Sequence, residues 1–204
     1  MEENYVIGAA QIFTLFFIML GPLKMLGPFA KASQALPPQK LKKLSWQAVG
    51  IAAIAVLLGG FLGRGLLKSW GIGIPILELT SGLIFAFVAF GLILKPHKSE
   101  VAGPLEAPNL QAPNVAFSMI VTPYGVAVLI TLLTMSMSAQ RTLLILGILG
   151  LVLILNLLAM IFIREVMGKI GALTMQLLGT VLSVLQAALA IQIIYVAISS
   201  LKAG

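Results

Sequence analysis

Cysteine is absent from the 204-residue chain, and histidine occurs once, as His97. That excludes disulfides, thiolate metal sites and cysteine nucleophiles, and a lone imidazole in a polar loop makes no metal cluster. No cofactor and no enzymatic chemistry is expected. Charge is scarce too: 9% of residues are charged, against about a quarter in an average soluble domain. What fills the chain instead is apolar. Sixty per cent of residues are hydrophobic and the mean hydropathy is +1.10, the composition of a polytopic membrane protein. The net charge of +7 does not indicate nucleic acid, because the basic residues flank apolar segments. Topology signals and anionic lipid headgroups account for them. The N-terminal Met1-Glu2-Glu3-Asn4 lacks the basic region and cleavage site of a signal peptide, so the first apolar segment is expected to stay in the bilayer.

A membrane-spanning helix needs about 20 apolar residues, and six segments qualify: 5–30, 44–62, 74–94, 114–135, 142–163 and 170–199. The connection at 95–113, with Pro96, Pro104, Pro108 and Pro113, is the longest. Six spans put both termini on one side, with Arg64, Lys68, Arg141 and Lys202. The other side collects Lys31, Lys40, Lys42, Lys43, Lys95, Lys98, Arg164 and Lys169. The positive-inside rule assigns the second set to the cytoplasm, leaving both termini outside a prokaryotic plasma or inner membrane.

Sliding the chain over itself by 101 residues aligns Phe16 with Phe117, Pro22 with Pro123, Leu57 with Leu158, Lys68 with Lys169, Ala86 with Ala187, Ala89 with Ala190 and Ile93 with Ile194. In so apolar a chain most such identities carry little; proline on proline within a span carries more. Three spans per half is an odd number, so the halves would insert in opposite orientations, an inverted-topology repeat of the kind used by secondary transporters. The alternative is two similar hydrophobic triplets by chance. The expected fold is therefore all-α: six transmembrane helices as two inverted three-helix repeats, 1–94 and 114–204, joined by a cytoplasmic linker, 95–113, with helices 1 and 4 broken.

The breaks are expected where proline enters a span. The stretch 16–29 carries Gly21-Pro22 and Gly27-Pro28 with Lys24 between them, and the fourth span carries Thr122-Pro123-Tyr124-Gly125. Proline removes a backbone donor and clashes with the carbonyl four residues back, and in hydrocarbon each freed backbone group must find a partner. Such breaks either line a protected binding site or are proline kinks held by neighbouring helices. Half-helix N-termini suit a carboxylate and free carbonyls suit an ammonium or cation, together a zwitterion. Lys24 has two readings. It lines the site, holding an anionic group or serving as a mobile coupling charge, or its stem snorkels to headgroups. Its aligned partner is Gly125, which leaves room for a long side chain. Glu78 near one end of the third span could carry protons or pair with Arg64 or Lys68, but reads first as a solvated end charge; Asn156, Gln176, Gln186 and Gln192 read first as interhelical hydrogen-bonding groups. Gln186 and Gln192 share no narrow stripe, so at most one of them faces a site. The candidate substrate site comprises Gly21, Pro22, Lys24, Gly27, Thr122, Pro123, Tyr124, Gly125 and Gln192.

These residues carry a family resemblance. Pro22-Leu23 with Phe29 downstream resembles the first-span motif of the MarC-type family, in which Asn or Asp precedes Pro-x-Gly. Trp70 to Pro75 followed by Ser81-Gly82 resembles its second-to-third-span junction, Phe117 to Gly125 its Gly-Pro-Gly fourth-span motif, and Ala190-Ile191-Gln192 its last span. The resemblance covers nearly the whole chain in order. It implies a six-span fold with inverted repeats and outside termini, related in plan to LysE-type exporters, and transport of small neutral amino acids as in some members. This chain departs from the pattern in four places. Gly21 replaces the Asn or Asp, Lys24 and Tyr124 stand where glycines are usual, and Glu78 replaces an arginine. The expected function is a secondary transporter for a small polar or zwitterionic solute, exporting it or coupled to protons or sodium. The expected partners are that solute, a coupling ion and the lipid bilayer, and the plan is compatible with a homo-oligomer. A passive channel, which would show a continuous polar stripe, and a structural or regulatory membrane subunit are the alternatives.

Overall fold

The computed structural model describes residues 8–94, 110–136, 138–169 and 172–203. The chain is all-helical, with no strand among the described residues. In order the helices are α1 (Ala9–Met19), α2 (Leu23–Ala32), α3 (Pro38–Ser69), α4 (Ile74–Leu94), α5 (Ala112–Val115), which runs into a π-helical turn (Ala116–Ile120), α6 (Pro123–Thr134), α7 (Ala139–Ile161), α8 (Ile163–Lys169) and α9 (Ala172–Ala203). Most of the expected linker, with His97, lies outside the described residues; its last two residues, Ala112 and Pro113, already belong to α5.

Four helical stretches are long and apolar enough to cross a membrane: Ala9–Ala32, Pro38–Ser69, Ala139–Ile161 and Val184–Lys202. A fifth is added if Ala112–Ile120 and Gly125–Thr134, which meet at 69°, count as one broken span, and Pro75–Gly91 is a shorter apolar helix. The count therefore falls short of six at two places. One expected span is bent at Pro123, and the apolar stretch of α4 is too short to qualify on its own. The outward faces are apolar as well: Phe87 is 77% exposed and Leu143 69%. Twenty-five large hydrophobic side chains are exposed among the described residues, an outer surface untenable in water that points to a membrane protein.

Helix boundaries recur along the chain. α1 ends at Met19 and the π-helical turn at Ile120, and α3 starts at Pro38 where α7 starts at Ala139, each pair 101 residues apart. The single α3 is matched by α7 with α8. Packing follows the same pattern: α1 lies on α7 as α5 and the π-helical turn lie on α3, while α3 meets α7 and α4 lies along α9. In the α4–α9 pair, Gln186 Nε2 donates to Phe85 O at 3.2 Å, joining positions 101 apart. Arg164 donates to Leu36 O at 2.7 Å, so the turn after α2 and the start of α8 lie at one end of the bundle.

Close helix approach rests on small residues. A Cβ on Gly82 would fall 2.6 Å from Ile194 Cγ1, 3.1 Å from Ile194 N and 3.2 Å from Ala190 O, so α9 backbone lies directly over this position. On α3, Gly59, Gly60 and Gly63 receive Val126, Leu129 and Ile130 of α6. Without a hydrophobic drive between helices in lipid, this packing is a main source of cohesion. Gly82→Leu is therefore expected to destabilise the protein by about 1–3 kcal/mol. Gly147→Ala in α7, where a Cβ meets nothing within 4 Å, is expected to be neutral or to stabilise by up to about 1 kcal/mol. Thermal unfolding in detergent checks both; equal effects would contradict the packing described.

Candidate functional site

The breaks expected at Pro22 and Pro123 are present. α1 stops at Met19 and α2 begins at Leu23. Pro22 has no N–H to extend α1, and it disfavours helical backbone at the residue before it. At Gly21 the chain passes so close to its own preceding turn that a Cβ would collide with Phe17 O. Only glycine fits there without a backbone shift, and an Asn or Asp at this position would have no room. The second Gly-Pro pair behaves differently. α2 continues through Pro28, and nothing crowds a Cβ at Gly27.

In the second half the π-helical turn closes with Val121 N donating to Ala116 O at 2.8 Å. Thr122 then caps α6, its Oγ1 accepting from Gly125 N at 3.1 Å, with Pro123 at the first helical position, where its missing donor costs nothing. Tyr124 lies in the first turn of α6, and its side chain lies outside the described residues.

Each break strands the last carbonyls of the preceding helix, which carry partial negative charge and lack helical donors. Side chains from elsewhere supply those donors. Lys24 Nζ donates to Met19 O at 2.6 Å and to Ile120 O at 3.0 Å. Thr122 Oγ1 donates to the same Met19 O at 2.9 Å. Asn156, fully buried on α7, donates through Nδ2 to Leu20 O at 2.6 Å. The two breaks are thus tied together by one ammonium placed between the carbonyls of Met19 and Ile120, residues 101 positions apart. A lysine at mid-span costs about 2.5–3.5 kcal/mol on insertion scales, and two charge-assisted hydrogen bonds at about 1.5–3 kcal/mol each are of the size needed to offset it.

The surroundings are rich in acceptors. Asn156 Oδ1 and Gln186 Oε1 are buried and have no hydrogen-bond partner among the described residues; both amides direct their NH2 groups to backbone carbonyls. Gln186 also lies 3.9 Å from Met19 Sδ, which sets it beside the first break. Glu78 makes no ion pair among the described residues, and the charge on Lys24 is met by carbonyl oxygens, not by a carboxylate. The room beside Gly125 is filled by Leu20, whose Cδ2 would collide with a Cβ there. Gly21, Pro22, Lys24, Thr122, Pro123 and Gly125 therefore gather at the breaks, whereas Gln192 is exposed on α9. Asn156 and Gln186 make the interhelical hydrogen bonds expected of them, to Leu20 O and Phe85 O; that both lie beside the first break was not read from the sequence, where a lone Asn in the most apolar span was the available signal. An open surface groove of about 610 Å³ lined by Leu44, Trp46, Gln47 and Leu110 shares no residue with this cluster.

Comparison with protein-family models, curated proteins and solved structures gives no match.

Lys24 and Thr122 share one acceptor, so their removal is expected to be non-additive. Lys24→Met and Thr122→Val should show a coupling energy of about 0.5–3 kcal/mol in a double-mutant cycle. Lys24→Met with the exposed Ser199→Ala should add within about 0.5 kcal/mol. Thermal unfolding of the purified variants measures this, and an additive Lys24–Thr122 pair would contradict a shared Met19 carbonyl.

Proposed function

We propose that this chain is a secondary transporter, a multi-pass protein of a prokaryotic cell membrane that carries a small polar or zwitterionic solute, small neutral amino acids first among them. On this reading α4 and the bent α5–α6 unit count as spans, making six. The halves are inverted repeats on the MarC-type plan, and both termini lie outside. The observation that carries the reading is the meeting of the two breaks on Lys24. Irregular backbone at membrane depth is tolerated only where protein buries it or it lines a cavity, and paired breaks at a repeat interface form the substrate sites of many transporters. The recurrence of helix boundaries and the bond between Gln186 and Phe85 support a two-fold relation, since equivalent residues touch only at an axis.

A zwitterion fits the groups present. An ammonium has three donors, and two of those on Lys24 are used; the third serves a carboxylate. The unpartnered oxygens of Asn156 and Gln186 suit a solute ammonium. Leu20 over Gly125 is the side chain that moves to admit it, and rocking of one half against the other exposes the site to alternate sides.

Uptake of labelled small neutral amino acids into proteoliposomes, with and without proton and sodium gradients, tests the proposal. Gradient-dependent uptake is expected, with Lys24→Met lowering it about tenfold or more, the effect of losing one charge-assisted contact. Reporter fusions at Gly204 and His97 should fall on opposite sides, with His97 cytoplasmic. Uptake no greater than in empty liposomes under every gradient would contradict transport of these solutes. Parent-like uptake by Lys24→Met would place the site elsewhere.

A further inference from the structure

We infer that the facing carbonyls of Met19 and Ile120 form a monovalent-cation site that the chain fills with its own ammonium, Lys24 Nζ, and that truncating this side chain opens the site to a free monovalent cation. The inference concerns binding and does not depend on whether the chain transports anything.

Three features carry it. The two carbonyls end two different helices, so each brings the negative end of a helix dipole to the same point. They come from positions 101 residues apart, and the ammonium lies 2.6 Å from one and 3.0 Å from the other. Lysine at 24 faces glycine at 125 in the same alignment, so each of the two aligned positions supplies one carbonyl of the pair, whereas only one supplies a lysine. The cradle belongs to the fold; its occupant is supplied by one half alone.

The donor set defines the class of ligand. Every group is a neutral oxygen: Met19 O and Ile120 O, with the Thr122 hydroxyl 2.9 Å from Met19 O. No group of three or more His, Cys, Asp or Glu exists among the described residues. Hard, neutral oxygens without carboxylates suit a singly charged ion, sodium or a primary alkylammonium, over a divalent or soft metal. With Lys24 in place the position is saturated, so the parent protein has no requirement for sodium here.

Thermal unfolding of purified Lys24→Ala and of the parent, at constant ionic strength in choline, sodium or propylammonium chloride, tests this. The parent is expected to unfold at the same temperature in all three. Lys24→Ala is expected to unfold lower in choline and to recover saturably in sodium or propylammonium. Each kcal/mol of binding raises the midpoint by about 2–4 °C. Recovery in sodium identifies an inorganic-ion site, recovery in propylammonium alone an ammonium site, and either supports the inference. Equal midpoints for Lys24→Ala in the three salts would overturn it. If Lys24→Ala cannot be purified folded in choline, purification in sodium or propylammonium supports the inference. If it fails in all three, Lys24→Gln decides. Its amide donates to one carbonyl and leaves the other for an ion, so a sodium- or propylammonium-selective rise supports the inference and its absence overturns it.

Discussion

Two prolines break two apolar helices, and the carbonyls they strand must be given donors without water. Most of what is distinctive in this structure answers that constraint. Met19, Leu20 and Ile120 lose their helical partners, and Lys24, Thr122 and Asn156 replace them. The donors come from α2, the N-cap of α6 and α7, so satisfying the backbone also ties these elements together at the breaks. Helices in lipid gain little from hydrophobic contact with one another, and this polar knot supplies cohesion alongside the glycine contacts of α3 with α6 and of α4 with α9.

Lys24 resolves a tension visible in the residues themselves. A charge within an apolar span either reaches for the headgroups or is held inside. Here it is held, and by backbone. Two helix C-terminal ends converge on one ammonium, each contributing partial negative charge. A carboxylate partner would have brought its own desolvation cost; a pair of already stranded carbonyls brings none, because those groups need a donor in any case. The lysine and the breaks stabilise each other.

Much of this was legible in the sequence. The breaks were, because proline in an apolar run has few outcomes. The spacing of 101 between Pro22 and Pro123 reappears in helix ends that no composition argument uses. The behaviour of Gly27-Pro28 was not. A proline inside a helix whose freed carbonyl finds room looks the same in sequence as one that ends the helix. The partner of Lys24 was not legible, because it depends on which helix ends converge. Gln192 shows the limit of motif reasoning. It stands in a stretch with a family look, yet α9 turns it outward and buries Gln186 instead. A six-residue offset on a 3.6-residue period separates the two faces, but only the packing of α4 against α9 selects which one is inside. Leu20 filling the space over Gly125 is likewise a matter of tertiary packing that pairwise alignment of the halves does not reach.

The central claim is that the Lys24 ammonium bridges the carbonyls of the two breaks. Solid-state NMR of the protein in lipid bilayers, with 15N-labelled lysine and 13C-carbonyl-labelled methionine and isoleucine, measures it directly. The account predicts dipolar contacts from Lys24 Nζ to the carbonyl carbons of both Met19 and Ile120. Contact of Lys24 Nζ with lipid phosphorus, and with neither carbonyl, would contradict it and make the lysine a headgroup anchor.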